Sequence, residues 1–145
     1  MHRAPAKGRI LLVDDDPAVR SALAQVLAEE GYVVTCGADG EEALRIVDDT
    51  INLVLLDLNM PVRNGWDTFE RLTAQNPLVP VIIITARSNQ LFTALSAGVG
   101  ALMEKPLDFP ELLATIRELL DEPVEVRIAR VAGRTPGFRY LPATH

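Results

Sequence analysis

The chain has 145 residues, 48% of them apolar, and a formal net charge of −6, which suits one domain with a buried core. The acidic balance argues against general nucleic-acid binding, which wants a basic face, and no apolar run approaches the roughly 20 residues of a membrane span. Cys36 is the single cysteine, so no disulfide can form within the chain and a reducing, cytoplasmic setting is the simplest home.

Residues 1–8 are short and basic with no apolar centre, a poor signal peptide; a disordered N-terminal arm is expected there. The apolar run ending at Val13 predicts a first strand over Arg9–Val13. Asp16-Pro17 then opens a helix, with the aspartate as cap and the proline at the first helical position, where no N–H is needed. Val19, Leu23, Val26 and Leu27 share one face of it, and Gly31 ends it. A β-branched run over 32–36 predicts the second strand. Asp39 with Glu42 three residues later reads as a capping box for the helix carrying Ala43, Leu44, Ile46 and Val47.

The third strand, Leu53–Asp57, has no polar alternation, the mark of a strand buried on both faces of a parallel sheet. Trp66, Phe69 and Leu72 mark the buried face of a third helix, which Asn76-Pro77 stops. Residues 80–85 form a fourth buried strand. Leu91, Leu95 and Phe92 are taken to line a fourth helix ending at Gly98. Ala101–Glu104 is a weaker fifth strand, and a second capping box, Asp108 with Glu111, opens the helix carrying Leu112, Leu113, Ile116, Leu119 and Leu120. Strands alternating with helices in this way predict a doubly wound, five-stranded parallel sheet over residues 9–120.

Residues 121–145 are expected to form a tail with no output domain. Within it Val124, Val126 and Ile128 alternate with charged residues, the pattern of a half-exposed strand. Two readings of this tail compete: a solvated, frayed end, or a docking strand that pairs with a partner or a second copy.

The strand ends collect the chemistry. Asp14 and Asp15 follow the first strand, Asp57 closes the third, Thr85 the fourth, and Lys105 follows the fifth. Open α/β sheets bind their ligands at these ends. Carboxylates suit Mg²⁺, which takes one or two of them, keeps several waters and accepts phosphate oxygens. A carboxylate can also attack phosphorus to give an aspartyl-phosphate. Each motif has a plainer reading: Asp16 as a cap only, Lys105 as a solvated lysine, Thr85 as a strand-end hydroxyl, Trp66 as core, Cys36 as a packed thiol.

Together, Val13-Asp14-Asp15-Asp16-Pro17, Leu55-Leu56-Asp57-Leu58-Asn59-Met60-Pro61 with Gly65, Ile84-Thr85-Ala86 and Glu104-Lys105-Pro106 resemble the receiver domain of two-component response regulators. The resemblance implies the flavodoxin-like fold, with the first strand between the second and third. It implies Asp57 as phosphoacceptor, Mg²⁺ held by Asp14, Asp15, Asp57 and the Asn59 backbone carbonyl, and Thr85 and Lys105 on the phosphoryl group. A sensor histidine kinase or phosphotransfer protein would be the donor, and a downstream protein effector, or a second copy of the chain, the recipient of the signal. No membrane contact and no direct nucleic-acid binding are expected. The protein would catalyse only its own phosphoryl transfer and dephosphorylation, with Arg87 and Asn59 tuning the latter.

Leu102 departs from the family pattern, in which an aromatic residue at this position turns inward with the threonine on phosphorylation; an altered output coupling is expected. A receiver-like module that works without phosphate is the alternative. A haloacid-dehalogenase-type hydrolase would need a second aspartate where Asn59 stands.

Overall fold

Side chains alternate from one face of the central strands to the other, and both faces are covered. In the computed structural model, which describes residues 7–58, 65–134 and 137–143, the described elements run β1 (Arg9–Val13), α1 (Pro17–Glu29), β2 (Val33–Gly37), α2 (Gly40–Ile46), β3 (Leu53–Asp57), α3 (Gly65–Gln75), β4 (Val81–Thr85), α4 (Leu91–Ala97), β5 (Ala101–Glu104), α5 (Phe109–Asp121), α6 (Val124–Val131) and β6 (Arg139–Leu141). The sheet has the order β2-β1-β3-β4-β5-β6, and every pairing is parallel. Leu11, Val13, Val54, Leu56, Val81, Ile83 and Leu102 face one layer, with Ala43, Phe69, Leu72 and Ala94 from α2, α3 and α4. Ile10, Leu12, Leu53, Leu55, Ile82, Ile84 and Met103 face the other, with Leu23 and Leu27 from α1 and Leu112, Ile116 and Leu119 from α5. Period-two alternation on strands that are apolar throughout produces these two cores.

The caps form as the sequence requires. Asp16 Oδ1 accepts the N–H groups of Ala18 and Val19, Asp39 Oδ1 that of Glu42, and Asp108 Oδ1 that of Glu111. Glu42 reaches back to the Ala38 N–H at 3.3 Å, completing a box around the start of α2. Gly98 ends α4 in the left-handed region, at φ 79°, and a Cβ there would also lie 2.9 Å from the Arg130 carbonyl oxygen.

Four expectations need correction. The sheet has six strands, not five. The segment 124–128 is not a strand but part of helix α6; the strand of the C-terminal segment is β6, and it pairs with β5 of its own chain through Ala101↔Arg139, Leu102↔Tyr140 and Met103↔Leu141. Phe92 does not line α4's inner face: it is 83% exposed, and Ala94 is the buried residue of that helix. Lys7 and Gly8 do not belong to a loose arm, because the Lys7 N–H donates to the Gly31 carbonyl and the Gly8 carbonyl accepts from the Val33 N–H; residues 1–6 lie outside the described residues.

The described residues of the C-terminal segment are packed rather than frayed. Arg130, 3% exposed, donates to both carboxylate oxygens of Glu122, at 3.0 Å and 2.5 Å. Arg127 donates to the Leu119 carbonyl at 2.7 Å, satisfying a carbonyl at the end of α5. Arg139 pairs with Glu118, and its N–H donates to the Gly100 carbonyl.

Candidate functional site

Register brings the acids together. Val13 of β1 lies opposite Leu56 of β3, so Asp14 and Asp57, one residue further along each strand, emerge side by side. Thr85 lies opposite Glu104, and Lys105 follows directly, its N–H donating to the Thr85 carbonyl at 2.8 Å. Carboxylate oxygens of Asp14, Asp15 and Asp57 all lie within 4.8 Å of one another. Lys105 Nζ donates to Asp57 Oδ2 at 2.9 Å. The Lys105 ammonium thus stands at a cluster of three carboxylates.

Asp57 is 2% exposed and Asp14 1%. Asp14 Oδ1 accepts the Asp16 N–H at 2.9 Å, while its buried Oδ2 has no hydrogen-bond partner among the described residues. Burial lifts the Asp14 carboxyl above its ordinary value near 3.8; the Asp16 N–H lowers it in part, and the Asp57 charge raises it again. Burial by itself would push the Lys105 ammonium down. The hydrogen bond and charge of Asp57, with Asp14 and Asp15 behind it, outweigh burial and hold Lys105 above its ordinary value. An orphaned carboxylate oxygen in a cluster of hard oxygens fits a small divalent cation such as Mg²⁺.

Thr85 is fully buried at the end of β4, and its hydroxyl accepts the Arg87 N–H at 3.0 Å. Leu102 is also fully buried, inside the sheet layer that faces α4. Asn59 lies outside the described residues. The Lys105–Pro106 peptide is cis. Gly65 belongs to the site's scaffold for a steric reason: a Cβ there would sit 2.6 Å from Leu58 Cα, so only glycine lets α3 start against the end of β3.

Three contacts escaped the sequence. Arg20 donates to the Asp14 carbonyl at 2.7 Å, pinning the acid loop from α1. Trp66 is half-buried; its Nε1 donates to Gln90 Oε1 at 2.8 Å and its ring meets Phe69 edge-on, so it joins α3 to the residue before α4. Glu104, 8% exposed, accepts the Tyr140 hydroxyl at 2.9 Å. That partner lies 36 residues away, and no local pattern announces it. Cys36, partly buried, has its thiol raised by burial, as a packed thiol should.

A parallel α/β sheet with β1 between β2 and β3, and with an acid cluster and a lysine at its carboxyl ends, defines the flavodoxin-like receiver class. The response regulator receiver domain model matches residues 10–117, and the chain belongs to that family. It is 45% identical over 114 residues to the transcriptional regulatory protein CpxR of Escherichia coli K12, a match covering 77% of this chain and 49% of that protein. It is 39% identical over 115 residues to the response regulator MprA of Mycobacterium leprae, covering 77% and 50%. The chain thus spans about half the length of the curated relatives it matches. Among solved structures, a CheY-like receiver domain protein from Methanospirillum hungatei superposes with a TM-score of 0.74 at 33% identity, covering 79% of this chain and 94% of that one. The response regulator TrrA of Thermotoga maritima, in complex with Mg²⁺-BeF, gives 0.70 at 31% identity, covering 77% and 98%. Among the described residues no helix is long and apolar enough to cross a membrane.

Proposed function

We propose that the chain is a cytoplasmic, phosphorylation-dependent switch in which Asp57 takes a phosphoryl group from a histidine kinase or phosphotransfer protein. The observation that carries this reading is the cluster itself: three carboxylates within 4.8 Å, one of them buried with an orphaned oxygen, and a lysine seated on Asp57. A purely structural crowding of three acids would cost stability with nothing in return. The Thermotoga relative's Mg²⁺-BeF complex supports it.

In the transfer, an Asp57 carboxylate oxygen bonds phosphorus as the donor's phosphorus–nitrogen bond breaks, and the imidazole leaves with the electron pair. Asp14, Asp15 and Asp57, with the Asn59 carbonyl, would hold Mg²⁺, which supplies charge neutralisation at the phosphoryl oxygens. Lys105 turns from Asp57 Oδ2 to a phosphoryl oxygen, and the Thr85 hydroxyl leaves the Arg87 N–H to donate to another. Water attack on phosphorus returns the Asp57 carboxylate and inorganic phosphate. The protein is both catalyst and substrate of these steps. CpxR is by name a transcriptional regulatory protein, but the net charge of −6 favours protein partners for this chain's direct contacts.

The test is Mg²⁺-dependent phosphorylation by acetyl phosphate, read as intact mass. One added phosphoryl group is expected on the wild type, none on Asp57→Ala and none after chelation. An unmodified wild type would leave a module that binds its partner without phosphate, a reading to which the leucine at position 102 points.

A further inference from the structure

The C-terminal segment does not merely cover the sheet edge; it is hydrogen-bonded to the residue next to the site lysine. Tyr140 donates its hydroxyl to Glu104 Oε2 at 2.9 Å, and the Ala143 N–H lies 3.4 Å from Glu104 Oε1. The bond to Glu104 holds the Tyr140 phenol above its ordinary value. Glu104 ends β5, and Lys105, bound to Asp57, is the next residue. The segment has its own anchors away from the site: the Arg130–Glu122 pair, Arg127 on the Leu119 carbonyl, and the Arg139 N–H on Gly100. Its position is therefore set independently of the acids, and it can restrain β5 from outside.

We infer that β6 and Tyr140 form a latch that holds Glu104 and Lys105 in the unphosphorylated arrangement, so that latch closure and Asp57 phosphorylation oppose each other. A phosphoryl group on Asp57 occupies the space into which Lys105 Nζ now reaches, and the lysine must move outward to meet a phosphoryl oxygen. Its backbone is tied on one side to the Thr85 carbonyl and on the other to a glutamate gripped by the tail. Moving Lys105 thus pulls against Tyr140. Opposition between two states is reciprocal: whatever phosphorylation does to the latch, opening the latch does to phosphorylation. Tyr140 is then a positioning residue that acts through Glu104. The inference rests on Asp57 being the acceptor.

The test uses the full chain, with intact mass and amide hydrogen exchange read on the same samples with and without acetyl phosphate and Mg²⁺. Exchange in peptides covering 137–143 is expected to quicken on phosphorylation. Tyr140→Phe, which keeps the ring and removes the donor, is expected to phosphorylate about threefold faster, the scale of losing part of one hydrogen bond to a charged group. A phosphorylated wild type whose 137–143 exchange is unchanged or slowed overturns the latch while leaving the site reading intact. A wild type that takes no phosphoryl group overturns both. A Tyr140→Phe variant that phosphorylates at the wild-type rate overturns the latch even if exchange responds, because the coupling then does not run through Glu104.

Discussion

Two clusters of charge in this molecule are built on opposite terms. At the strand ends, Asp14 and Asp57 are as buried as core residues, yet three acids lie within 4.8 Å of one another, and among the described residues an Asp14 oxygen finds no hydrogen-bond partner. In the clasp of the C-terminal segment, the Glu122 side chain is also largely buried but meets two guanidinium groups, Arg127 at 3.3 Å and Arg130 in a two-pronged contact. The clasp meets its acid with two cations from the chain, and the strand-end cluster gathers three acids in a geometry that could take a further cation or a phosphoryl group. A buried acid thus has opposite meanings in the two places: at the clasp it stabilises the fold, and at the strand ends it is held ready at a cost.

The sharpest way to break this comparison is to remove one negative charge from each cluster. Glu122→Gln takes the Glu122 charge away from the buried Arg130 guanidinium. We expect a loss of about 3 kcal/mol, the usual scale for breaking a buried pair from one side, read as a lower urea midpoint and faster exchange in 122–143. Asp14→Asn keeps an oxygen for the Asp16 N–H and removes a charge that Asp57 and Asp15 oppose and Lys105 only partly offsets. Because the folded protein raises the Asp14 value, the stability this group contributes is present when it is protonated and is lost as pH rises through the folded value. At neutral pH the charge is a cost, so Asp14→Asn should stabilise the metal-free protein by about 1 kcal/mol, roughly 3 °C in melting temperature. The gain should vanish near pH 3.8, and Mg²⁺ should stabilise the variant less than the wild type. A destabilised Asp14→Asn protein would show that the cluster is structural after all.

The smallest effect concerns the hydroxyl at the end of β4. Arg87 carries an exposed side chain two residues beyond Thr85. Arg87→Ala should change the lifetime of the phosphorylated protein about twofold, as expected for a screened ion pair with phosphate. Equal decay rates in the two proteins would confine phosphoryl contacts to Thr85 and Lys105.

The strand-end cluster was legible in the sequence and the clasp was not, for the same physical reason. β1, β3 and β4 are buried on both faces, so their apolar runs are unbroken and the acids that end them stand out. Asp16, Asp39 and Asp108 announce their helices by local hydrogen bonds within three residues. The second strand needed only a shift by one, to Val33–Gly37. In 124–128, by contrast, strand-forming Val and Ile alternate, yet the segment is a helix whose inward residues are Val126, Arg127 and Arg130, held by the end of α5 and by Glu122. Tertiary hydrogen bonds decide that segment, and a pattern of apolar residues carries no record of them. β6 is three residues long, and its partner is fixed by chain crossing rather than by any feature of Arg139, Tyr140 or Leu141. Phe92 fails differently: in a helix of seven residues one turn reaches the sheet, and Ala94 takes it.

A last consequence concerns synthesis of the chain. Without β6, β5 would be the outermost strand, four buried residues long, presenting a row of amide and carbonyl groups to whatever strand came near. Residues 139–141 close that row, and they leave the ribosome after the other described strands of this sheet have been made. During that interval the growing protein carries an open, apolar border suited to pairing with its neighbours on the same message. Once β6 covers that edge, the sheet is less prone to pair with a neighbour than it was in the nascent chain.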